Sequence, residues 1–324
     1  MNTGKKILHC MISMFMGLMA MNVFAQAYPN KPIHIVIGFP PGGAIDTLAR
    51  VLAPKISKEL GQSVIIENKG GAGGVIGMQY VANAEPDGYT LFLGTLGNYS
   101  ITPAMVKDLP YNVPRDFIPI TQIASSPFIV FANPQLPIKN VNELISYSKA
   151  NPGKVYFSSS GNGGLPHMAG EMFNEAAGIK MIHVPYKGSA PSITDVIGGQ
   201  VQVTFEAIAI GLPYLKSGRL KGLAITDAKR LPILPELPTV SESLPGFVLK
   251  NWFGLSAPKQ TSMDKITLIQ KSIVIALKDP EVIKTLGDLG LEPVGDTPIE
   301  FAQFIRQETG RWQSLFSKGT IKLD

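Results

Sequence analysis

Four groups of residues in this chain have types and spacing that could do chemistry. The first is Phe39-Pro40-Pro41-Gly42-Gly43, which runs into a helical stretch, Ala44 to Leu60, with Asp46 in its first turn. Prolines stiffen the approach, and Gly42 and Gly43 let a ligand come close to backbone amides. A helix start adds unpaired N–H groups and partial positive charge, which favours a carboxylate by about 0.3–1 kcal/mol from the dipole alone. The second is Ser158-Ser159-Ser160-Gly161-Asn162-Gly163, ahead of a helix from Pro166 to Ala177. Serine hydroxyls serve polar ligands and bridging waters alike. The third is His167 with Glu171, four apart and so on one helix face. The fourth is Glu206, expected to follow a strand, Gln200 to Phe205. Its carboxylate could accept a hydrogen bond from a ligand and would repel a bare anion placed beside it.

Each group has a plainer reading. The proline–glycine stretch could be an ordinary strand–helix turn, and the serine run a solvated loop. Glu206 could be a structural carboxylate between lobes, and His167 a packing residue. His167 and Glu171 lack a third ligand nearby, and beyond His9 the chain has only His34, His167 and His183. No metal and no cofactor are expected. The glycine runs also fail the nucleotide templates: Gly71, Gly73 and Gly77 miss the dinucleotide spacing by one residue, and no Gly-Lys-Ser/Thr follows any loop. No Gly-x-Ser-x-Gly elbow surrounds Ser158, Ser159 or Ser160. The missing constellation argues for binding rather than catalysis.

The elements that must position these residues form a pattern that occurs twice. Strand Ile33 to Ile37 leads into the first glycine loop and its helix. Strand Val64 to Glu67 leads into Asn68-Lys69-Gly70-Gly71-Ala72-Gly73-Gly74 and a helix. Strand Tyr89 to Leu93 ends at Gly94-Thr95-Leu96-Gly97-Asn98. The series restarts with strand Val155 to Ser158 and the serine loop. Strand Met181 to Val184 then leads into Pro185-Tyr186-Lys187-Gly188-Ser189-Ala190 and a helix, and the Glu206 strand follows. Strand, glycine loop and helix in repetition predict parallel α/β sheets, which bind ligands at the carboxyl ends of their strands. Two copies predict two lobes enclosing a small molecule.

Residues 1–25 read as a secretory leader: Lys5 and Lys6, an apolar stretch from Ile7 to Phe24, and Val23-Phe24-Ala25 as the cleavage site. The single cysteine, Cys10, falls within it, so an exported mature chain would have neither thiol nor disulfide. The formal net charge of +5 includes both leader lysines. No lysine or arginine cluster stands out, so no nucleic-acid partner is expected.

Two proline-punctuated stretches read as crossings between lobes. Ile118 to Ala124 is a strand leaving lobe one, and Phe128 to Phe131 enters lobe two. Leu249 to Pro258 returns. Val141 to Ala150 reads as a helix of lobe two, and Leu220 to Thr226 as a further strand. After Pro258, two amphipathic helices are expected, Met263 to Leu277 and Pro298 to Phe316, packing back on lobe one. The expected division is 26–124 for the first part of lobe one, 125–250 for lobe two and 251–324 for the return.

In order and spacing, these stretches resemble the periplasmic receptors of tripartite tricarboxylate transporters, the Bug receptor family. The residues that carry the resemblance include Pro41-Gly42-Gly43 with Asp46 and Ala49-Arg50, and Glu67-Asn68-Lys69 with Gly71-Ala72-Gly73-Gly74. Asp87-Gly88-Tyr89-Thr90-Leu91, Ser159-Ser160-Gly161 and His167-Met168-Ala169-Gly170-Glu171 follow, then His183 to Pro191, Leu244-Pro245-Gly246-Phe247 and Trp252-Phe253-Gly254.

The resemblance implies a two-lobed flytrap receptor of the periplasm, an α/β periplasmic binding protein whose mostly parallel sheets are flanked by helices and joined by two crossings. It further implies that a small organic carboxylate lies between the glycine loops, held partly through ordered waters and backbone groups. By position the ligand would meet Phe39, Pro41, Gly42 and Gly43, then Thr95 and Asn98, then Ser158, Ser160, Gly161 and Gly163. The family commonly has an aspartate where this chain has Glu206, whose extra methylene pushes the carboxylate deeper into the cleft. Asp46, His167 and Glu206 complete the expected ligand site. The expected partners are that ligand and either the membrane subunits of a transporter or a sensor protein, with the receptor a monomer. The rivals are an exported enzyme, with Glu206 or Asp46 as base and His167 as acid, and a protein that presents its surface to a partner.

Overall fold

The computed structural model describes residues 28–317 and 319, so the expected leader lies outside the described residues. Strand β1 (Ile33–Ile37) is an Ile/Val run buried at four of five positions. β-branched residues suit a strand covered on both faces. Helix α1 (Ala44–Leu60) turns Ile45, Leu48, Leu52, Ile56 and Leu60 onto that strand and ends at Gly61 in the left-handed region. β2 (Val64–Asn68), α2 (Val75–Ala82) and β3 (Thr90–Thr95) follow. β1 lies between β2 and β3, parallel to both. Burying an isoleucine or leucine here contributes roughly 1.5–3 kcal/mol.

The next strand, β4 (Phe117–Ala132), is sixteen residues long. The sequence predicts two strands here with a break at Ser125 to Pro127, but the ladder is continuous across it. The second copy of the repeat then comprises α3 (Val141–Ala150), β5 (Tyr156–Ser159), α4 (Leu165–Ala177), β6 (Ile182–Pro185), α5 (Ser189–Ile197) and β7 (Val203–Ala207). Helix α6 (Ile208–Lys216) and β8 (Lys221–Ile225) complete it, and β9 (Lys250–Pro258) returns. Among the described residues three helices, not the two expected, follow Pro258: α7 (Met263–Leu277), α8 (Pro280–Asp288) and α9 (Pro298–Ser317), with the two-residue β10 (Glu292–Pro293) before the last. The overlooked α8 has an Asp279 N-cap and proline in its first turn, a start signal readable in sequence.

The strands form two sheets fused through β4. Strand order is β2-β1-β3-β9-β4-β7-β5-β6. Phe117 to Pro127 of β4 pair antiparallel with β9, and Phe128 to Ala132 pair with β7 and β8. In each sheet the outer strands are parallel, while β4, β8, β9 and β10 run antiparallel to their partners. The architecture is thus a two-lobed α/β fold joined by the strand pair β4 and β9. Ile266, Ile269 and Ile273 of α7 join the core of the first sheet beside α1. Phe301 of α9 packs edge-on against Tyr99 and Trp252. The second lobe has its own core around Ile129, Phe131, Ile193 and Val201.

Candidate ligand-binding cleft

In the first lobe the loops after β1, β2 and β3 interlock. A Cβ built on Gly38 would lie 2.6 Å from the Cα of Gly74, so two loop backbones touch where only glycine fits. Asn98, fully buried, ties the third loop in. Its Oδ1 accepts from Thr95 N (3.0 Å) and from Thr95 Oγ1 (3.1 Å), and its Nδ2 donates to Gly73 O at 2.8 Å. Asn68 Nδ2 donates to Phe39 O and to Asp46 Oδ1, at 3.1 and 3.0 Å. Asp46 Oδ2 accepts from Gly42 N at 3.0 Å and Arg50 Nε at 2.9 Å. The Arg50 hydrogen bond, chief among these, holds the buried Asp46 carboxyl down at about 2.

These bonds revise two expectations. Asp46 and Asn98 have polar atoms that look ligand-directed in sequence, yet both side chains are spent on shaping the loops. Thr95 is half-buried and its hydroxyl serves Asn98. What faces outward is Pro41, Gly42 and Gly43, all exposed, with Phe39 half-buried behind them. Helix α1 starts at Gly43 with no side-chain cap.

The second lobe repeats the arrangement. Ser158 is fully buried; its Oγ accepts from Ser192 Oγ at 2.7 Å, and its carbonyl from Thr204 Oγ1 at 3.1 Å. It is therefore a framework residue, not the open hydroxyl expected. Ser160 is half-buried, and no hydrogen bond from its hydroxyl to a described residue is formed. Ser159, absent from the expected site, organises the loop. Its Oγ donates to Gly161 O, accepts from Gly161 N, both at 3.1 Å, and meets His183 Nε2 at 2.6 Å. Gly163 N donates to His167 Nδ1 at 3.1 Å, so His167 braces the loop from beneath and the Gly163 amide is engaged. His167 Nε2 lies 3.9 Å from Glu171 Oε1. His167 also stacks on His183, which stacks on Phe157. Helices α4 and α5 start at Gly164 and Gly188, again without side-chain caps.

Glu206 lies within β7, one residue inside its end, and is 1% exposed. Its Oε2 accepts from the hydroxyl of Ser189, the first residue of α5, at 3.1 Å. Its Oε1 is buried with no hydrogen-bond partner. Burial pushes the carboxyl up to about 7.

The chemistry available is that of neutral donors: backbone amides at helix starts and hydroxyls. Arg50 is committed to Asp46 and Asn68. Ser159 and His183 are near enough for a nucleophile–base pair, but Ser159 Oγ is also held by Gly161 O and Gly161 N within its own loop. Burial and the neighbouring His167 also press His183 down to about 4, which makes it a weak base. Asp46, at about 2, is a poor base too. Among the described residues no group of three or more His, Cys, Asp or Glu could hold a metal.

A sequence model described as the tripartite tricarboxylate transporter family receptor matches residues 48–321. Among solved structures the chain is similar to the periplasmic binding protein BugD, at 36% identity and TM-score 0.71 over 91% of this chain and 99% of that one. It is also similar to Rpa4515 of R. palustris with adipate, at 33% identity and TM-score 0.73 over 89% and 97% of the two chains. MatC from Rhodopseudomonas palustris with bound malate gives 31% identity and TM-score 0.70 over 89% and 99%.

Proposed function

Because the chain belongs to the tripartite tricarboxylate transporter receptor family, we propose that it is a periplasmic solute receptor. It captures a small organic carboxylate between its lobes and delivers it to the membrane subunits of a transporter. The observation that carries this reading is the kind of helix start after the parallel strands. Helices α1, α2, α4 and α5 begin at Gly43, Gly74, Gly164 and Gly188, each bare of any side chain and without a side-chain cap. Helices α3 and α8, which do not follow such loops, are capped by Asn140 and Asp279, and α7, uncapped too, starts at Ser262 rather than glycine. An uncapped start leaves N–H groups that need an acceptor, and a carboxylate supplies two oxygens where the helix dipole favours them.

On this reading the carboxylate lies against Pro41, Gly42 and Gly43 of one lobe and Ser160 and Gly161 of the other, with Glu206 at the floor. Phe39, Asp46, Thr95, Asn98, Ser158, Gly163 and His167 hold the loops in shape around it. Lobe one comprises 26–124 and 251–324, lobe two 125–250, and β4 with β9 is the hinge about which a monomer closes. The neighbours with adipate and malate support the ligand class. The protein returns its ligand unchanged. Thermal denaturation of the purified protein against carboxylates and their amide analogues tests this. Ligand at 100 times its Kd adds about 2.7 kcal/mol of stability, and the amide analogue adds none. Folded protein that is stabilised by no carboxylate and does not contract in small-angle scattering overturns the reading.

A further inference from the structure

Six buried side-chain atoms lack a hydrogen-bond partner among the described residues, and Glu206 Oε1 is the one that belongs to an ionisable group. Ser189 and the Ala207 backbone N–H ease the burial of the carboxyl, but Oε1 has no partner in either protonation state. Ionised, Oε1 is an acceptor with no donor; protonated on Oε1, it is a donor with no acceptor. Buried polar atoms left in this condition are destabilising, and charged ones more so. Its other oxygen is met by Ser189 Oγ, so the side chain is anchored and the unmet atom is fixed rather than free to turn to water. The position is also particular: β7 ends one residue later at Ala207, and Ser189 opens the uncapped helix α5. The missing partner is therefore to be sought in the cleft.

Resting on the receptor reading above, we infer that Glu206 accepts a hydrogen bond from a hydroxyl or ammonium group of the bound ligand. The receptor then prefers hydroxy- or amino-substituted carboxylates over the unsubstituted acids. A second carboxylate of the ligand is the wrong group for this place, because two anions without an intervening cation repel. No described lysine or arginine forms an ion pair with Glu206. A donor, by contrast, meets the orphan oxygen and favours the ionised acid. A site built to hydrogen-bond a ligand hydroxyl discriminates strongly against the analogue that lacks it.

The test is calorimetric titration of the purified protein, Glu206→Met and Glu206→Gln with matched acids: succinate against malate and aspartate, and adipate against 2-hydroxyadipate and 2-aminoadipate. The expected result is at least about tenfold tighter binding of a substituted acid than of its parent by the wild type. Glu206→Met removes the preference, so that each substituted acid and its parent bind the variant within about threefold of one another. Glu206→Gln, which keeps one acceptor oxygen and the same length, retains part of the preference for the hydroxy acid and loses that for the amino acid. It also serves if Glu206→Met does not fold. Equal or tighter binding of the parent acids by wild type, or a preference that survives in both variants, overturns this inference and leaves the receptor reading standing. Failure of every carboxylate to bind sinks both.

Discussion

His167 and His183 lie face to face, ring centroids 3.9 Å apart and planes 12° from parallel. One braces Gly163, and the other bonds Ser159. Two cations cannot share that spacing cheaply, so His183 holds the serine–glycine loop in its neutral form. His183 is pressed to about 4 in the fold against about 6.5 when unfolded. The unfolded chain thus binds more protons between those values. The stability that follows is complete above about 6.5 and is lost as pH falls through 4, on the order of 2 kcal/mol for a partly buried ring. Urea unfolding at pH 7.5 and 4.5 should show a smaller acid loss in His183→Phe, which keeps the stack on Phe157. An unchanged acid loss would contradict this.

Glu206 works in the opposite sense. Its carboxyl is raised to about 7, so the native state holds the proton longer than the unfolded chain, whose value is near 4.3. The strain of an ionised, unmet acid therefore grows as pH rises from about 4.5 through 7. Glu206→Gln should gain stability relative to wild type by roughly 2–3 kcal/mol between pH 5 and pH 8. Melting curves across that range measure the difference, and a variant that runs parallel to wild type contradicts it.

Asp46 is a clasp. Replacing it with alanine frees Gly42 N, Asn68 Nδ2 and Arg50 Nε together. A loss of about 1–3 kcal/mol is expected, with carboxylate affinity falling about tenfold as the loop loosens. Because its folded value is about 2 and the unfolded one about 3.9, its contribution is full above pH 4 and fades as pH drops through 2. Chemical denaturation at pH 7 with a titration of the hit carboxylate checks both parts. Wild-type affinity in the alanine variant would show that the loop needs no clasp.

Gly43 gives a cleaner separation of fold from function. It has φ −80° and nothing lies within 4 Å of where its Cβ would be, so valine is sterically free there. Gly43→Val puts valine at the α1 N-cap, which costs up to about 1 kcal/mol and a few degrees of melting temperature, and it should bind carboxylates at least about tenfold more weakly, because the added methyls occupy the approach to the α1 amides. A variant with full affinity would place the carboxylate elsewhere.

The parts of the fold that depend on local pattern were legible in the sequence. Ala44–Leu60, Val141–Ala150 and Met263–Leu277 form as helices with the bounds their apolar spacing predicts. The site was legible as a set of loops but not as a set of atoms. Asp46 and Asn98 have claimants near in the chain, Gly42 and Arg50 one helical turn to either side of Asp46 and Thr95 three residues before Asn98, a signal the spacing offered. Their remaining partners, Asn68 and Gly73, and Ser192 for Ser158, are brought in by tertiary packing that one-dimensional spacing does not encode. Ser159 was passed over for the same reason, since its partner His183 sits on the adjacent strand β6. The unbroken course of β4 through Pro127 escaped because proline argues against a strand. Here Pro127 pairs with Lys250 where the strand passes from one sheet to the other.

The insertion of one lobe between β4 and β9 fixes an order of assembly. β3 pairs with β1 on one edge and with β9 on the other, Thr95 opposite Phe253. A chain made amino end first presents β3 with that second edge bare until the whole of the other lobe has emerged. The second lobe faces no such wait, since β5, β6, β7, β8 and the end of β4 are contiguous in the chain. The lobe in the middle of the sequence can therefore close first, and its closure brings Lys250 alongside Pro127 and starts the β9 ladder. Slow, long-range pairing of this kind leaves an aggregation-prone edge open in the interval, so the nascent lobe one is the stretch of this protein most in need of a chaperone.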